Sequence, residues 1–443
     1  MARRRTRIPL NIYLNGRLVG QLNREGSGAI DFRYTAEWLE WDNAIPVSLS
    51  LPLREDRYIG EAVVAVFDNL LPDNQDIRRR VAERSQADGT DAYSLLSAIG
   101  RDCVGALQFI PEGMSPDPVG TIKADRLSDK EVAKLIADLT RNPLGIGDDM
   151  NFRISLAGAQ EKTALLFWKN AWHLPHGTTP TTHILKPQIG KLSSGIDLSQ
   201  SVENEHLCLR LVEAIGLPVA RSAIKDFGAG NVLIVERFDR LWTKDKRLFR
   251  IPQEDCCQAL GVPPTRKYES EGGPGIRAII NLLKGSDTPE SDQRRFFKAQ
   301  IVFWLLAATD GHAKNFSLQL GPAGRFILAP LYDILSTQPL FDASQLSKKQ
   351  LKLSMAVGKS RHYAVDAILP RHYFQTAALC GFPEKTVLNI FDELIAEGNS
   401  AVKNTLSGLP RKFPQKLASL ITDGFTKRLA LLAEVTRKND GKA

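Results

Sequence analysis

The sequence predicts an α+β chain in three parts: a mixed α/β N-terminal domain, a small β-rich lobe, and an all-helical C-terminal lobe. Three observations predict it. Short β-like runs, FRIS, TALLFW, HILK and NVLIVERF, crowd the stretch from Phe152 to Phe238. After about residue 255 the apolar spacing turns helical. A chain of 443 residues also exceeds one compact core, and the proline-bearing loop Pro111–Val119 with the segment Arg141–Asp149 breaks it early. The boundaries drawn are 1–150, 151–255 and 256–443.

In chain order, Ile12–Leu22 reads as a hairpin with Asn15-Gly16 as its two-residue turn. AVVAVFDNLLP, around Val63–Pro72, reads as a short buried helix stopped by proline, and Val104–Ile110 as a strand. One long helix, Leu198–Ile215, interrupts the β-rich stretch and closes at Gly216 and Pro218. Phe296–Asp310 is the most apolar helix, followed by Pro370–Cys380, Glu384–Glu397 and Phe413–Arg437. Ser336–Gln350 carries no signature and is expected as a mobile loop.

Composition narrows the class. Hydrophobic residues at 43% and charged residues at 24% exclude a disordered, collagen-like or coiled-coil chain. No apolar run approaches the roughly 18–20 residues a membrane span needs. The basic start is not followed by an apolar stretch, because Asn11 and Asn15 interrupt it, so no signal peptide is expected. Five cysteines without a C-x-x-C pair suit reduced thiols in a cytoplasmic protein. The net charge of +8 divides into −4 over residues 1–150, +5 over 151–340 and +7 over 341–443. That basic C-terminal quarter is either a solvated helical surface or a face that approaches nucleic acid.

Four features point to chemistry. Ser155-Leu-Ala157-Gly158-Ala159-Gln160-Glu161-Lys162-Thr163 lies between two strand-like runs, and its small residues would let backbone N–H groups meet an anion. A tight β-turn is the alternative, and no Walker A pattern is present. Lys186 ends the strand THILK, where it reaches toward a cleft or simply into solvent. Glu205 shares the apolar face of its helix with Cys208, Val212 and Ile215, so its carboxylate needs a partner. A strand lysine held by a helix glutamate orients ATP phosphates in protein kinases. In TDGHAKNFS, Asp310 and Asn315 stand five apart, the spacing of base and metal-binding asparagine in the kinase catalytic loop. Asp333 follows after the β-like pair Phe316–Leu320 and Arg325–Leu328, and a hairpin would return it beside Asn315. Asn315 and Asp333 offer hard oxygen ligands for Mg²⁺, and Asp310 a general base. His312 suits a structural or phosphate-contacting role better than zinc. Between the lobes, VERFDR places the backbone of Glu236 and Phe238 to meet an adenine edge and Asp239 to bind a ribose hydroxyl. The alternative there is an ordinary strand end.

Taken together, FRISLAGAQEKTALL, PTTHILKP, ERFDR, QEDCCQ, KYESEGGPG, TDGHAKNFS and LYDIL resemble the HipA family of serine/threonine-kinase toxins, as do SLSLPL, FDNLLPD and IGRDCVGAL. The resemblance covers nearly the whole chain. It implies a two-lobed protein-kinase-like fold with ATP and Mg²⁺. It implies Asp310 as catalytic base, Asn315 and Asp333 as metal ligands, Lys186 on the phosphates with Glu205 as its partner, and Glu236–Phe238 as the hinge. Ala157–Lys162 would cover the phosphates, Arg237, Asp239, His312, Lys314 and Tyr332 would join the nucleotide contacts, and Ser155 would be autophosphorylated. It further implies a helix-turn-helix antitoxin, HipB, as partner, with operator DNA bound mainly through that antitoxin and nucleoid association in that complex. Glutamyl-tRNA synthetase is the implied substrate and growth arrest the outcome. A small-molecule kinase on the same scaffold and a non-catalytic co-repressor remain as alternatives.

Overall fold

In the computed structural model the described residues are 8–146, 153–158 and 160–440. The chain forms two compact units. The first comprises Met1–Pro187, Lys225–Thr265 and Leu318–Phe326, and the second Gln188–Ile224, Arg266–Ser317 and Ile327–Ala443.

The first unit opens with five antiparallel strands in the order Tyr58–Ile59, Ile30–Tyr34, Arg17–Arg24, Leu10–Leu14 and Leu107–Pro111. The Asn15-Gly16 turn forms as the sequence predicts. Leu14 pairs with Arg17, and both turn residues take positive φ, 46° and 83°, which suits a two-residue hairpin and is easiest for glycine. Helices Glu61–Asp68, Gln75–Ser85 and Ala92–Ile99 accompany this sheet. Its core holds Phe32, Phe67 and Phe109, edge to face at 5.8 and 5.6 Å. The helix Glu61–Asp68 stops before its expected proline. Asn69 ends it, donating its side-chain amide to Ala65 O (2.8 Å) and to Val262 O (2.9 Å).

A second sheet of this unit contains, in order, Asn231–Glu236, His183–Pro187, Thr163–Trp168, Ala171–Pro175 and Ala124–Leu127. The helix Asp129–Ala137 lays Val132 and Ile136 against Leu165, Trp172, Leu185 and Val232. Residues 124–137 thus pack with strands from beyond residue 150. FRIS, expected as a strand, is not one over its described residues. Ile154 makes a single bridge to Asp102, whose carbonyl accepts from Ser155 N, and Ser155 Oγ turns to Leu70 O.

The motifs SLSLPL and QEDCCQ lie against each other. Leu49 N donates to Glu254 Oε1 (2.8 Å), and Ser50 Oγ to Gln258 O (2.7 Å). Glu254 is fully buried with its Oε2 unpartnered, and burial pushes its carboxyl up to about 8. The folded protein therefore keeps a proton that the unfolded chain loses near its ordinary value of 4.5. Stability should fall by roughly 1.4 kcal/mol per pH unit between those values and level off above the higher one. Glu254→Gln should remove that slope: its melting temperature should exceed wild type at pH 8 and converge with it at pH 5. Parallel melting curves at both pH values check this.

The second unit is mainly helical: Ser201–Ala214, Ile276–Leu283, Pro289–Leu306, Pro370–Cys380, Glu384–Ser407 and Gln415–Asp440. Pro289–Leu306 is central, with Phe296, Phe297, Ile301 and Trp304 fully buried. It begins earlier and ends earlier than its apolar run suggests. Ser336 Oγ donates to Leu306 O (2.5 Å), and Thr337 Oγ1 to Ala307 O (2.8 Å), so the last carbonyls are capped and Ala307 turns left-handed (φ 51°). Ala308–Asp310 is released as loop. Part of the expected mobile loop is the ordered helix Gln338–Asp342. A hairpin, Lys352–Val357 with His362–Ala364, interrupts the helices. Leu353–Val357 are all buried, which masks the alternation that would mark a strand.

All five cysteines are buried, and none is in a disulfide. Among the described residues no helix is long and apolar enough to cross a membrane.

Candidate active site

The second unit gathers Asp310, His312, Lys314, Asn315, Tyr332 and Asp333. The loop starts where Pro289–Leu306 ends, and Ser354 Oγ donates to Thr309 O (2.6 Å). Gly311 sits against the Phe303 ring, and a Cβ there would come within 2.3 Å of it. Phe303 in turn stacks on Phe316 at 5.6 Å, so both ends of the loop rest on one aromatic cluster.

Asn315 is buried, and its Nδ2 donates to Asp310 O (2.8 Å) and Asp333 O (3.5 Å). Both amide hydrogens are used on main-chain carbonyls, which leaves Oδ1 as the group it offers outward. The hairpin strands Ser317–Leu320 and Phe326–Leu328 bring Asp333 back as expected. Asp333 holds φ at +58°, a costly conformation for a non-glycine residue. Its segment is clamped from both sides. Ala220 N donates to Leu331 O and Leu331 N to Pro218 O, both at 2.8 Å. Asn204 and Ser336 exchange two bonds, also at 2.8 Å. Tyr332 Oη donates to Lys314 O (2.7 Å). Glu205 lies buried on the same helix as Asn204.

The oxygen set fits Mg²⁺. An amide oxygen and a carboxylate on adjacent segments are hard donors, and Mg²⁺ bound to nucleotide takes its remaining ligands from phosphates and water. Among the described residues no three His, Cys, Asp or Glu side chains form a closed metal cluster.

The first unit holds the other expected residues. Ser155 is buried, its Oγ donating to Leu70 O (2.8 Å) and its N to Asp102 O (3.0 Å). Asp73 N donates to Gly158 O (3.0 Å), Lys162 Nζ to Ala157 O (2.6 Å) and Gln160 Nε2 to Pro187 O (3.0 Å). Glu161 pairs with Arg80 at 2.5 Å. Ala159 lies outside the described residues. Lys186 is buried on His183–Pro187, opposite Leu233, and Glu236 ends the neighbouring strand opposite His183. Phe238 follows it.

Arg237 and Asp239 belong to a buried ion network that sequence reading missed. Arg237 Nη2 and Nε donate to Asp239 Oδ2 and Oδ1 (2.7 and 3.0 Å), and Gly105 N also donates to Oδ2 (2.7 Å). Asp102 accepts from Arg240 Nη2 and Arg250 Nε, each at 2.9 Å, and from Thr181 N and Oγ1. Burial alone would raise the Asp102 carboxyl; Arg240, Arg250 and Arg237 overcome it and hold it well below the usual range. Burial and the neighbouring Arg237 push Arg240 down to about 10. Asp102 lies more than a hundred positions before Arg237, Arg240 and Arg250, and no local spacing links it to ERFDR.

Asp310 beside an asparagine–aspartate oxygen pair, and a separate β-sheet that carries Lys186 on an interior strand, mark a protein of the kinase-like class. Family comparison makes the assignment specific. The HipA-like C-terminal domain matches residues 154–402, and the HipA N-terminal domain matches residues 10–110. The chain belongs to the HipA family of serine/threonine-kinase toxins. Y4mE of Sinorhizobium fredii is 36% identical over 354 residues, 79% of this chain and 81% of that protein. The serine/threonine-protein kinase toxin HipA of Shewanella oneidensis is 27% identical over 429 residues, 94% of this chain and 89% of its own. A solved complex of HipA, HipB and operator DNA from Shewanella oneidensis MR-1 superposes with a TM-score of 0.77 at 25% identity, covering 96% of this chain and 97% of that one.

Proposed function

We propose that the chain transfers the γ-phosphate of ATP to a serine of a protein substrate, with Asp310 as general base and Asn315 and Asp333 as Mg²⁺ ligands. The observation that carries this is the Asp310–Asn315–Asp333 arrangement, in which one buried amide ties the base's main chain to that of the second metal ligand. Asp310 would orient the acceptor hydroxyl and accept its proton. The bound ion would offset charge on the phosphates. Lys186 with Glu205, Ala157–Lys162, Glu236, Phe238, His312, Lys314 and Tyr332 are kept as nucleotide-site residues on the strength of family membership. We assign Arg237 and Asp239 to holding the strand end that follows Glu236, because each is spent on buried ionic partners. The division at 1–150, 151–255 and 256–443 is likewise kept as a proposal.

By analogy with the Shewanella proteins, we propose a HipB-like antitoxin as partner, with operator DNA reached mainly through it. Phosphorylation of glutamyl-tRNA synthetase, with growth arrest, is the proposed outcome. Ser155 is the proposed autophosphorylation site. Its Oγ is enclosed and bonded to a carbonyl, so a phosphate there would set negative charge against Leu70 O and force the loop out. Modification would thus act as an off-switch.

The test is incubation with ATP and Mg²⁺ followed by intact-mass and peptide mass spectrometry. One phosphate on Ser155 is expected, with none on that peptide in Ser155→Ala. An unmodified chain that still binds ATP would count against the kinase reading.

A further inference from the structure

The tyrosine of KYESEGGPG meets the base. Tyr268 Oη donates to Asp310 Oδ1 at 2.8 Å, and the Tyr268 ring stands edge to face against His312 at 5.0 Å. The same Oδ1 lies 3.8 Å from His312 Nε2. The carboxylate itself is 61% exposed. The terminal torsion of an aspartate is broad and roughly two-fold, so a directional donor is what selects an orientation for such a side chain.

Tyr268 is rigidly mounted. Its carbonyl accepts from Glu271 N (3.0 Å) and Gly273 N (2.9 Å), forming the turn Glu269–Glu271. Glu269 Oε2 accepts from Ala356 N (2.6 Å), fastening that turn to the strand Lys352–Val357. Ala313 N donates to Lys267 O (3.4 Å), tying the preceding residue to the catalytic loop. These bonds involve main chain or Glu269 and none involves the Tyr268 hydroxyl. The main-chain bonds and Glu269 hold the turn, and the hydroxyl reaches Asp310.

We infer that Tyr268 is a positioning residue for phosphoryl transfer: its hydroxyl engages Oδ1 and turns the Asp310 carboxylate so that Oδ2 receives the proton of the acceptor. The inference rests on the reading of Asp310 as the base. A donor held at one oxygen preorganises the carboxylate before the acceptor arrives, and misorientation of a general base is costly in rate. A rigid mount argues against Tyr268 acting as a gate that must swing aside.

The experiment compares wild type, Tyr268→Phe, Asp310→Asn and the double variant, measuring phosphate incorporated into the chain from ATP and Mg²⁺. Tyr268→Phe should lower kcat about tenfold with KM for ATP within about twofold and an unchanged melting temperature. In the Asp310→Asn background the same substitution should change the residual rate by less than about twofold, because Tyr268 acts through Asp310. A wild-type kcat for Tyr268→Phe would overturn the inference and leave the base assignment standing. So would phosphate on Tyr268 itself, or a Tyr268→Phe loss undiminished in the Asp310→Asn background. A wild-type rate for Asp310→Asn would instead overturn the base assignment.

Discussion

Asp310→Asn is expected to lower phosphoryl transfer by at least about 10³-fold while leaving ATP affinity within about twofold. The substitution is nearly isosteric. The Asp310 carbonyl, which receives Asn315 Nδ2 and His312 N, is main chain and survives it. The loop should therefore keep its shape, as should the offered oxygens of Asn315 and Asp333. What is lost is the acceptor for the substrate's proton. Single-turnover transfer with labelled ATP, beside calorimetric ATP binding, separates the two quantities. A rate above a tenth of wild type would remove Asp310 from the role of base. A parallel loss of ATP binding would mean that the loop had collapsed, and a melting curve would reveal it.

The second large effect concerns stability. Asp102→Asn should destabilise the first unit by about 3–5 kcal/mol. It leaves Arg237, Arg240 and Arg250 buried with Asp239 as their remaining carboxylate, and removing one partner of a buried ionic cluster strands the others. The single carbonyl oxygen of asparagine can still accept from Thr181, but its NH2 then faces the donors of Arg240 and Arg250, so their hydrogen bonds are lost with the charge. Acid should mimic the variant. Asp102's folded-state carboxyl is depressed, so its contribution is present above the unfolded value near 3.8 and disappears as pH falls below it. Urea unfolding at pH 7 measures the effect; a shift under about 1 kcal/mol would show that the network is not held by this charge.

These two residues also mark how far sequence reading reaches. The hairpin at Asn15-Gly16 and the return of Asp333 to Asn315 are local, set by a turn dipeptide and by a short hairpin, and both were legible. So was the D-x4-N spacing. Asp102 was not, because its arginine partners lie more than a hundred residues away and an aspartate in IGRDCVGAL looks like any other charged loop residue. Tyr268 was legible as part of a family motif but not as a partner of Asp310, since 42 residues separate them. The end of Pro289–Leu306 was misjudged for a related reason: the bonds that stop it come from Ser336 and Thr337. Apolar periodicity records where a helix can be buried, and caps supplied from elsewhere decide where it stops.

The interleaving of the two units along the chain bears on biosynthesis. The first unit draws its last strand residues from Leu318–Phe326, so it cannot be completed until that segment has left the ribosome. The strand Gln253–Asp255 pairs with Ser317–Leu320, about 65 residues later, so at roughly 5–20 residues per second its edge waits about 3–13 s for its partner. Helices and hairpins can form at once, yet the long-range closures wait, as expected for a chain of high contact order. A nascent toxin of this build would stay inert through most of its own synthesis, and ribosome-bound chains arrested before residue 318 should be protease-sensitive in the first unit.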